Sequence, residues 1–190
     1  MLAWLFPGQG AQHRGMGSDL FERYPEEVAA ADSCLGYSVA ELCRDDPHDQ
    51  LTGTRYAQPA LFVVGALSAL SAAEHSPRPD FLVGHSLGEY AALFAAGCFD
   101  LTTGTRLVDR RGELMAEAGE GGMLAVLGPG AKDVKALLAE IGQHDVDLAN
   151  DNAHDQVVLS GPVASLRTVG REVRGSPAIR APTRRLSPTP

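Results

Sequence analysis

Cysteine is scarce in this 190-residue sequence: Cys34, Cys43 and Cys98 are scattered, odd in number and form no C-x-x-C pair. That pattern argues against a disulfide framework or a cysteine-held metal and reads as reduced, structural thiols. The six histidines have no metal-ligand spacing either, so no metal is expected. No run approaches the roughly 20 apolar residues that a membrane span requires. The N-terminus lacks the basic lead-in and small-residue cleavage site of a secretory signal, so the expected compartment is cytoplasmic. Positive charge is also in short supply. The net charge of −8 speaks against nucleic acid as a partner. Its distribution is uneven: residues 1–166 carry −13, whereas residues 167–190 hold six arginines against Glu172. The basic end reads as a solvated tail, with attraction to an acidic partner as the alternative.

What is present suits one domain, or one domain with a small insertion, with 44% hydrophobic residues to build a core. The most informative segment is Gly84-His85-Ser86-Leu87-Gly88. It follows the apolar run Phe81-Leu82-Val83 and precedes a helix-forming stretch, which is the strand–turn–helix context of a G-x-S-x-G nucleophile elbow. A serine hydroxyl attacks well only when held clear of the sheet beside unpaired backbone N–H groups. The turn demands small flanking residues, and the following helix start aims its N–H groups where an oxyanion would form. His85 neighbours the serine, but alternation along a strand turns it to the opposite face, where it would support the elbow.

Along the chain, Leu2–Phe6 predicts a short strand ending at Pro7-Gly8-Gln9-Gly10. Residues 18–31 predict a helix with Ser18 as N-cap, and a short helix follows at Val39–Cys43. An apolar helix is expected over Ala60–Ala73 with Pro59 in its first turn. Helices are expected over 87–96 and from Thr102 to Ala118, the latter capped by Thr102 or Thr103. From Gly121 the pattern changes to strand 123–127, helix 132–141, strands 146–149 and 156–160, helix 164–173 and a last strand within 178–186. That order, βαββαβ, is the signature of a ferredoxin-like unit. Residues 1–121 therefore form one expected domain and 122–190 a second, small one with a Pro/Arg-rich tail.

Several pieces together resemble the acyl-CoA:acyl-carrier-protein transacylases, a group spanning malonyl transacylases of fatty-acid synthesis and acyltransferases of polyketide synthases. They are Phe6–Gln12, Gln58-Pro59-Ala60-Leu61, Gly84–Tyr90, Arg110–Met115, Gly122–Val126, Asn150-Asp151-Asn152 and Gln156–Gly161. The resemblance implies an α/β fold, namely an α/β-hydrolase-like large domain with an inserted ferredoxin-like subdomain. It also implies Ser86 as the nucleophile and the backbone N–H groups of Gln9 and Leu87 as the oxyanion hole. Arg111 matches the arginine that grips a malonyl carboxylate; on residue type alone it could instead pair with Glu113 or Glu117 on the helix surface. Asn150 and Asn152 are expected to order a loop at the cleft. Leu87, where a glutamine would be the alternative, resembles malonyl-selective members.

The implied substrates are malonyl-CoA, or a related acyl-CoA, and the phosphopantetheine thiol of an acyl carrier protein, with no bound cofactor, metal, nucleic acid or membrane. The family's general base is a histidine in a small-x-x-Phe-His-Ser motif that these 190 residues do not contain. The chain is accordingly expected to be truncated, with its base supplied from outside and apolar sheet surface left exposed. The alternatives are a serine esterase or thioesterase, and a catalytically inactive fragment that binds a partner.

Overall fold

The computed structural model describes residues 1–117 and 121–175, and the backbone of 183–186. The chain divides into two compact units, Met1–Glu117 and Ala118–Pro190. The first is mixed α/β. Strand β1 (Ala3–Phe6) pairs in parallel with β2 (Phe81–Gly84), Ala3 opposite Phe81 and Phe6 opposite Gly84. Between them in the chain lie helices α1 (Ser18–Arg23), α2 (Pro25–Leu35), α3 (Val39–Arg44) and α4 (Thr54–His75); α5 (Gly88–Ala95) and α6 (Leu101–Glu117) follow β2.

The expected helix over 18–31 is two helices. Tyr24 breaks it at φ −121°, ψ 57°, because the residue before Pro25 is pushed out of helical space by the proline ring. Ser18 does not cap α1. Gly17 holds the N-cap position, and the Ser18 hydroxyl instead donates to the Gly15 carbonyl at 2.9 Å. Helix α6 is capped by neither threonine: the Asp100 carboxylate accepts from the Thr103 N–H at 2.7 Å.

Helix α4 begins at Thr54, earlier than expected, so Pro59 lies inside it rather than in its first turn. Its 22 residues are long and apolar enough to cross a membrane by composition. The helix is nevertheless the core of its unit: Phe62, Val63, Ala66 and Leu67 are almost wholly buried there with Val39 and Val108. The opposite face of the two-stranded sheet is uncovered, with Leu5 75%, Phe81 53% and Val83 49% exposed. Alternation explains it, since Phe6 points inward while Leu5 points out. The three cysteines are free, and burial pushes the Cys43 thiol up to about 12, so it stays protonated at neutral pH.

The second unit comprises β3 (Gly122–Leu127), α7 (Ala131–Glu140), β4 (Asp147–Ala153), β5 (Gln156–Gly161), α8 (Val163–Gly175) and β6 (Thr183–Leu186). Its sheet has the order β4-β5-β3-β6, every neighbouring pair antiparallel. Leu124, Val126, Val157 and Leu159 pack with Val134, Leu137, Leu166 and Val169 from the helices. Asn150 and Asn152 lie within β4, not in a loop, because β4 continues past Ala149 through two register shifts against β5. The expected last strand is present at Thr183–Leu186; residues 178–182 and the tail 187–190 lie outside the described residues.

The Asp100 cap has a pH signature. Hydrogen bonds from the Thr103 backbone and hydroxyl favour the charged carboxylate and lower its pKa. A depressed folded-state pKa stabilises the fold above the unfolded-state value and is lost as pH falls through the folded one. Asp100→Ala is expected to lower Tm at neutral pH and to converge with wild type in acid below the ordinary aspartate range. Thermal melts of both proteins across that range check it, and a gap that persists in acid would assign the loss to something other than the carboxylate.

Candidate active site

The two parallel strands end side by side, and Gln9, Ser86 and Leu87 follow their carboxyl ends, where open α/β sheets commonly bind ligands. β2 runs through Gly84 into a turn at His85–Leu87 that opens α5. Ser86 has φ 53°, a left-handed conformation that a non-glycine residue adopts at a cost. Two glycines leave room for it. A Cβ on Gly84 would sit 2.2 Å from the Glu89 nitrogen, and one on Gly88 would sit 2.1 Å from the Phe6 carbonyl oxygen. The Gly88 N–H donates to the His85 carbonyl at 3.0 Å and the Glu89 N–H to the Ser86 carbonyl at 3.0 Å. The serine itself is exposed.

The loop after β1 meets this turn. The His85 N–H donates to the Phe6 carbonyl at 3.0 Å, and a Cβ on Gly8 would lie 3.0 Å from His85 Nδ1 and 2.5 Å from its carbonyl oxygen. The imidazole is thus seated against the Gly8 backbone, beneath the loop that carries Gln9. Gln12 Oε1 accepts from the Gly10 N–H at 2.7 Å and holds that loop in its turn. No acceptor among the described residues takes the backbone N–H of Gln9 or of Leu87. Leu87 follows Ser86 directly, and Gln9 follows the Gly8 that packs against His85. Leu87 itself is 1% exposed, so its side chain anchors the turn in the core.

Arg111 lies on α6, half-buried. Its guanidinium donates from Nη1 to Gln58 Oε1. The surface-pair alternative fails for a visible reason. Glu113 is taken by its neighbours, Arg110 Nη1 at 3.0 Å and Arg55 Nη2 at 3.4 Å, and no carboxylate pairs with Arg111 among the described residues. The Asp109 carboxyl on the same helix is raised from its ordinary value by burial first and by Glu113 next, with Arg55 opposing. Gly112 brings α6 against the start of α4, its Cβ position 3.1 Å from the Arg55 carbonyl oxygen. Pro59 has no N–H to return to that carbonyl, so the freed oxygen faces α6 at the crossing.

Two contributors had no assigned role in the sequence. Gln58 is wholly buried, and its Nε2 donates to Met115 Sδ at 3.2 Å. Thr54, also wholly buried, accepts at Oγ1 from Gln9 Nε2 at 3.1 Å. The available signal was two polar residues four apart in an otherwise apolar helix. Asn150 and Asn152 belong to the other unit, where Asn152 Nδ2 donates to Gln156 Oε1 at 3.2 Å. An apolar cavity of about 340 Å³ lies between β1, α4 and α5, lined by Trp4, Phe6, Leu61, Ala69 and Leu87. Gln9, Ser86 and Arg111 do not line it, so it is distinct from the polar cluster.

A family model described as an acyl transferase domain matches residues 3–185. The chain is 51% identical over 162 residues to the polyketide biosynthesis malonyl CoA-acyl carrier protein transacylase PksC of Bacillus subtilis (strain 168), covering 85% of this chain and 56% of that protein. Among solved structures it resembles a malonyl CoA-acyl carrier protein transacylase from Burkholderia pseudomallei, with TM-score 0.92 and 44% identity over 99% of this chain and 64% of that one. It also resembles a malonyl-transacylase solved in complex with a type II polyketide synthase acyl-carrier protein, with TM-score 0.87 and 33% identity over 97% and 62%. The chain thus spans less than two thirds of the length of these relatives.

The closeness of Gly88 to Phe6 is testable. Gly88→Ala forces backbone against backbone and is expected to destabilise the first unit by about 3 kcal/mol. Urea unfolding measures it, and wild-type stability in the variant would mean that the elbow relaxes freely.

Proposed function

Because this chain belongs to the acyl transferase domain family, we propose that it moves a malonyl-type acyl group from coenzyme A to the phosphopantetheine thiol of an acyl carrier protein. The observation that carries the reading is a strained, exposed Ser86 in an elbow that meets the Gly8–Gln9 loop, with backbone N–H groups of Gln9 and Leu87 and a guanidinium that find no hydrogen-bond acceptor and no carboxylate, respectively, among the described residues. Ser86 Oγ attacks the thioester carbonyl of the acyl-CoA. The developing oxyanion is met by the N–H groups of Gln9 and Leu87, each such donor being worth about 3 kcal/mol at the transition state. The C–S bond breaks, coenzyme A leaves as its thiol after taking up a proton, and the acyl group remains as an ester on Ser86. The carrier's thiol then attacks that ester, and the serine oxygen recovers its proton.

Arg111 receives the distal carboxylate of the acyl group. A guanidinium offers paired N–H donors that match a carboxylate's two oxygens, so it orients the thioester as well as binding it. His85 supports the turn from below, through its place against Gly8. The relatives' names, malonyl CoA-acyl carrier protein transacylase, agree with both substrates, and a carrier protein is present in one related complex. No cofactor enters the reaction; coenzyme A and phosphopantetheine arrive on the substrates. This chemistry belongs with soluble thioesters, in the cytoplasm.

The reading extends to architecture. The large domain expected over residues 1–121, whose compact unit is Met1–Glu117, is α/β-hydrolase-like; its parallel strands and elbow support this. Residues 122–190 are a ferredoxin-like subdomain; the βαββαβ succession with sheet order β4-β5-β3-β6 supports it.

Incubation with malonyl-CoA, with and without imidazole as a diffusible base, tests the reading. Intact-mass and peptide analysis should find a malonyl ester on Ser86 that Ser86→Ala abolishes. Arg111→Ala should reduce malonyl loading relative to acetyl loading by roughly 100-fold. Absence of ester under both conditions would overturn the proposal. Release of free malonate without transfer to a carrier, indifferent to Arg111→Ala, would make the chain a hydrolase instead.

A further inference from the structure

Helix α4 is apolar through the core except on one face of its first two turns. Thr54 and Gln58 are four residues apart, hence one above the other, about 6 Å along the axis. Both are wholly buried. Each reaches a different part of the candidate site: Thr54 Oγ1 takes the Gln9 side chain, and Gln58 Oε1 takes Arg111 Nη1. Arginine has donors only, so the Gln58 amide must present its oxygen to it. The amide nitrogen is thereby turned to Met115 Sδ, one helical turn beyond Arg111 on α6. Sulfur is a weak acceptor, and a buried amide is costly unless its hydrogen bonds are met. Methionine would fill the same space without that cost. Packing therefore does not account for a glutamine here, whereas holding Arg111 does.

We propose that Thr54 and Gln58 are positioning residues: a polar ledge on α4 that holds the Gln9 loop with one residue and the Arg111 guanidinium with the other. Gln58 fixes the carboxylate receptor and so sets the preference for an acyl group carrying a free terminal carboxylate, while Thr54 fixes the loop that carries Gln9 and so serves every acyl group alike. With one Nη engaged by Gln58, the remaining guanidinium N–H groups are presented to substrate in one orientation. The proposal rests on the reading of Arg111 given above, and its test separates the two.

Side-chain ¹⁵N NMR of the Arg111 guanidinium, assigned with Arg111→Lys, reports its restraint without any substrate. Binding of malonyl-CoA against acetyl-CoA reports the selectivity. In Gln58→Met the Arg111 Nη resonances should average, and the malonyl preference should fall about tenfold. In Gln58→Glu the guanidinium should stay restrained, while the new carboxylate competes with the substrate and the preference falls as well. Thr54→Val should leave both the Arg111 resonances and the acyl preference in place and slow imidazole-assisted acylation of Ser86 equally for both acyl groups.

Resonances and preference unchanged in Gln58→Met would overturn the ledge, as would equal loss of both acyl-CoAs in every variant, the mark of plain destabilisation. Gln58→Glu keeps the hydrogen bond to Arg111 and guards against a methionine variant that fails to fold. If Arg111→Ala leaves the malonyl preference intact, the receptor reading falls. The Gln58→Met resonances still decide whether Gln58 restrains the guanidinium.

Discussion

The contact between Gly88 and the end of β1 governs the candidate site. With no side chain at 88, the Phe6 and Pro7 carbonyls come against the first turn of α5 at distances that a Cβ would occupy. Three consequences follow from that approach. Chain direction reverses within His85–Leu87, which forces Ser86 to positive φ and leaves it exposed. The loop Pro7–Gly10 leaves β1 beside the same turn, so that Gly8 packs against His85. Buried Leu87 then anchors the turn from the core side, resisting relaxation of the strained residue before it.

A second close approach performs the corresponding service for Arg111. Gly112 lets α6 rest on the backbone of α4 where Pro59 has left the Arg55 carbonyl without its helical partner. A side chain at 112 would push the helices apart and carry Arg111 away from Gln58. Both halves of the candidate site are therefore located by backbone contacts at glycine, with polar side chains acting afterwards. Such contacts are short and stiff, and interiors this dense convey small displacements rather than absorbing them.

What was legible in the sequence was local. The elbow could be read because its strand, turn and helix lie within about a dozen consecutive residues, and each is specified by residue type. Capping differs from expectation where the true cap stands earlier in the chain: Gly17 is one residue before Ser18 and Asp100 two before Thr102, and only geometry says which oxygen reaches which N–H. Pro59 misled for a related reason. Proline usually marks a helix start, but here packing holds the turn before it in helical form, which puts Gln58 and Thr54 inside α4. Their contribution could not be seen while the helix was expected to begin only at Ala60. Asn150 and Asn152 show the converse: the resemblance implied a loop, but pairing with β5 keeps them in a strand.

The fate of the two adjacent arginines follows from helix geometry. Successive residues on α6 are turned by about 100°, so Arg110 and Arg111 cannot serve the same partner. Glu113 lies three residues beyond Arg110, on its face, and Arg55 approaches the same carboxylate from α4. Those charges satisfy one another at the surface. Arg111, turned inward, meets a neutral amide that orients the guanidinium without neutralising it. A carboxylate in place of Gln58 would have held the group as firmly and used up its charge. Keeping the acid on one face of the helix and the amide on the other is what leaves the Arg111 charge fixed and un-neutralised by a carboxylate among the described residues.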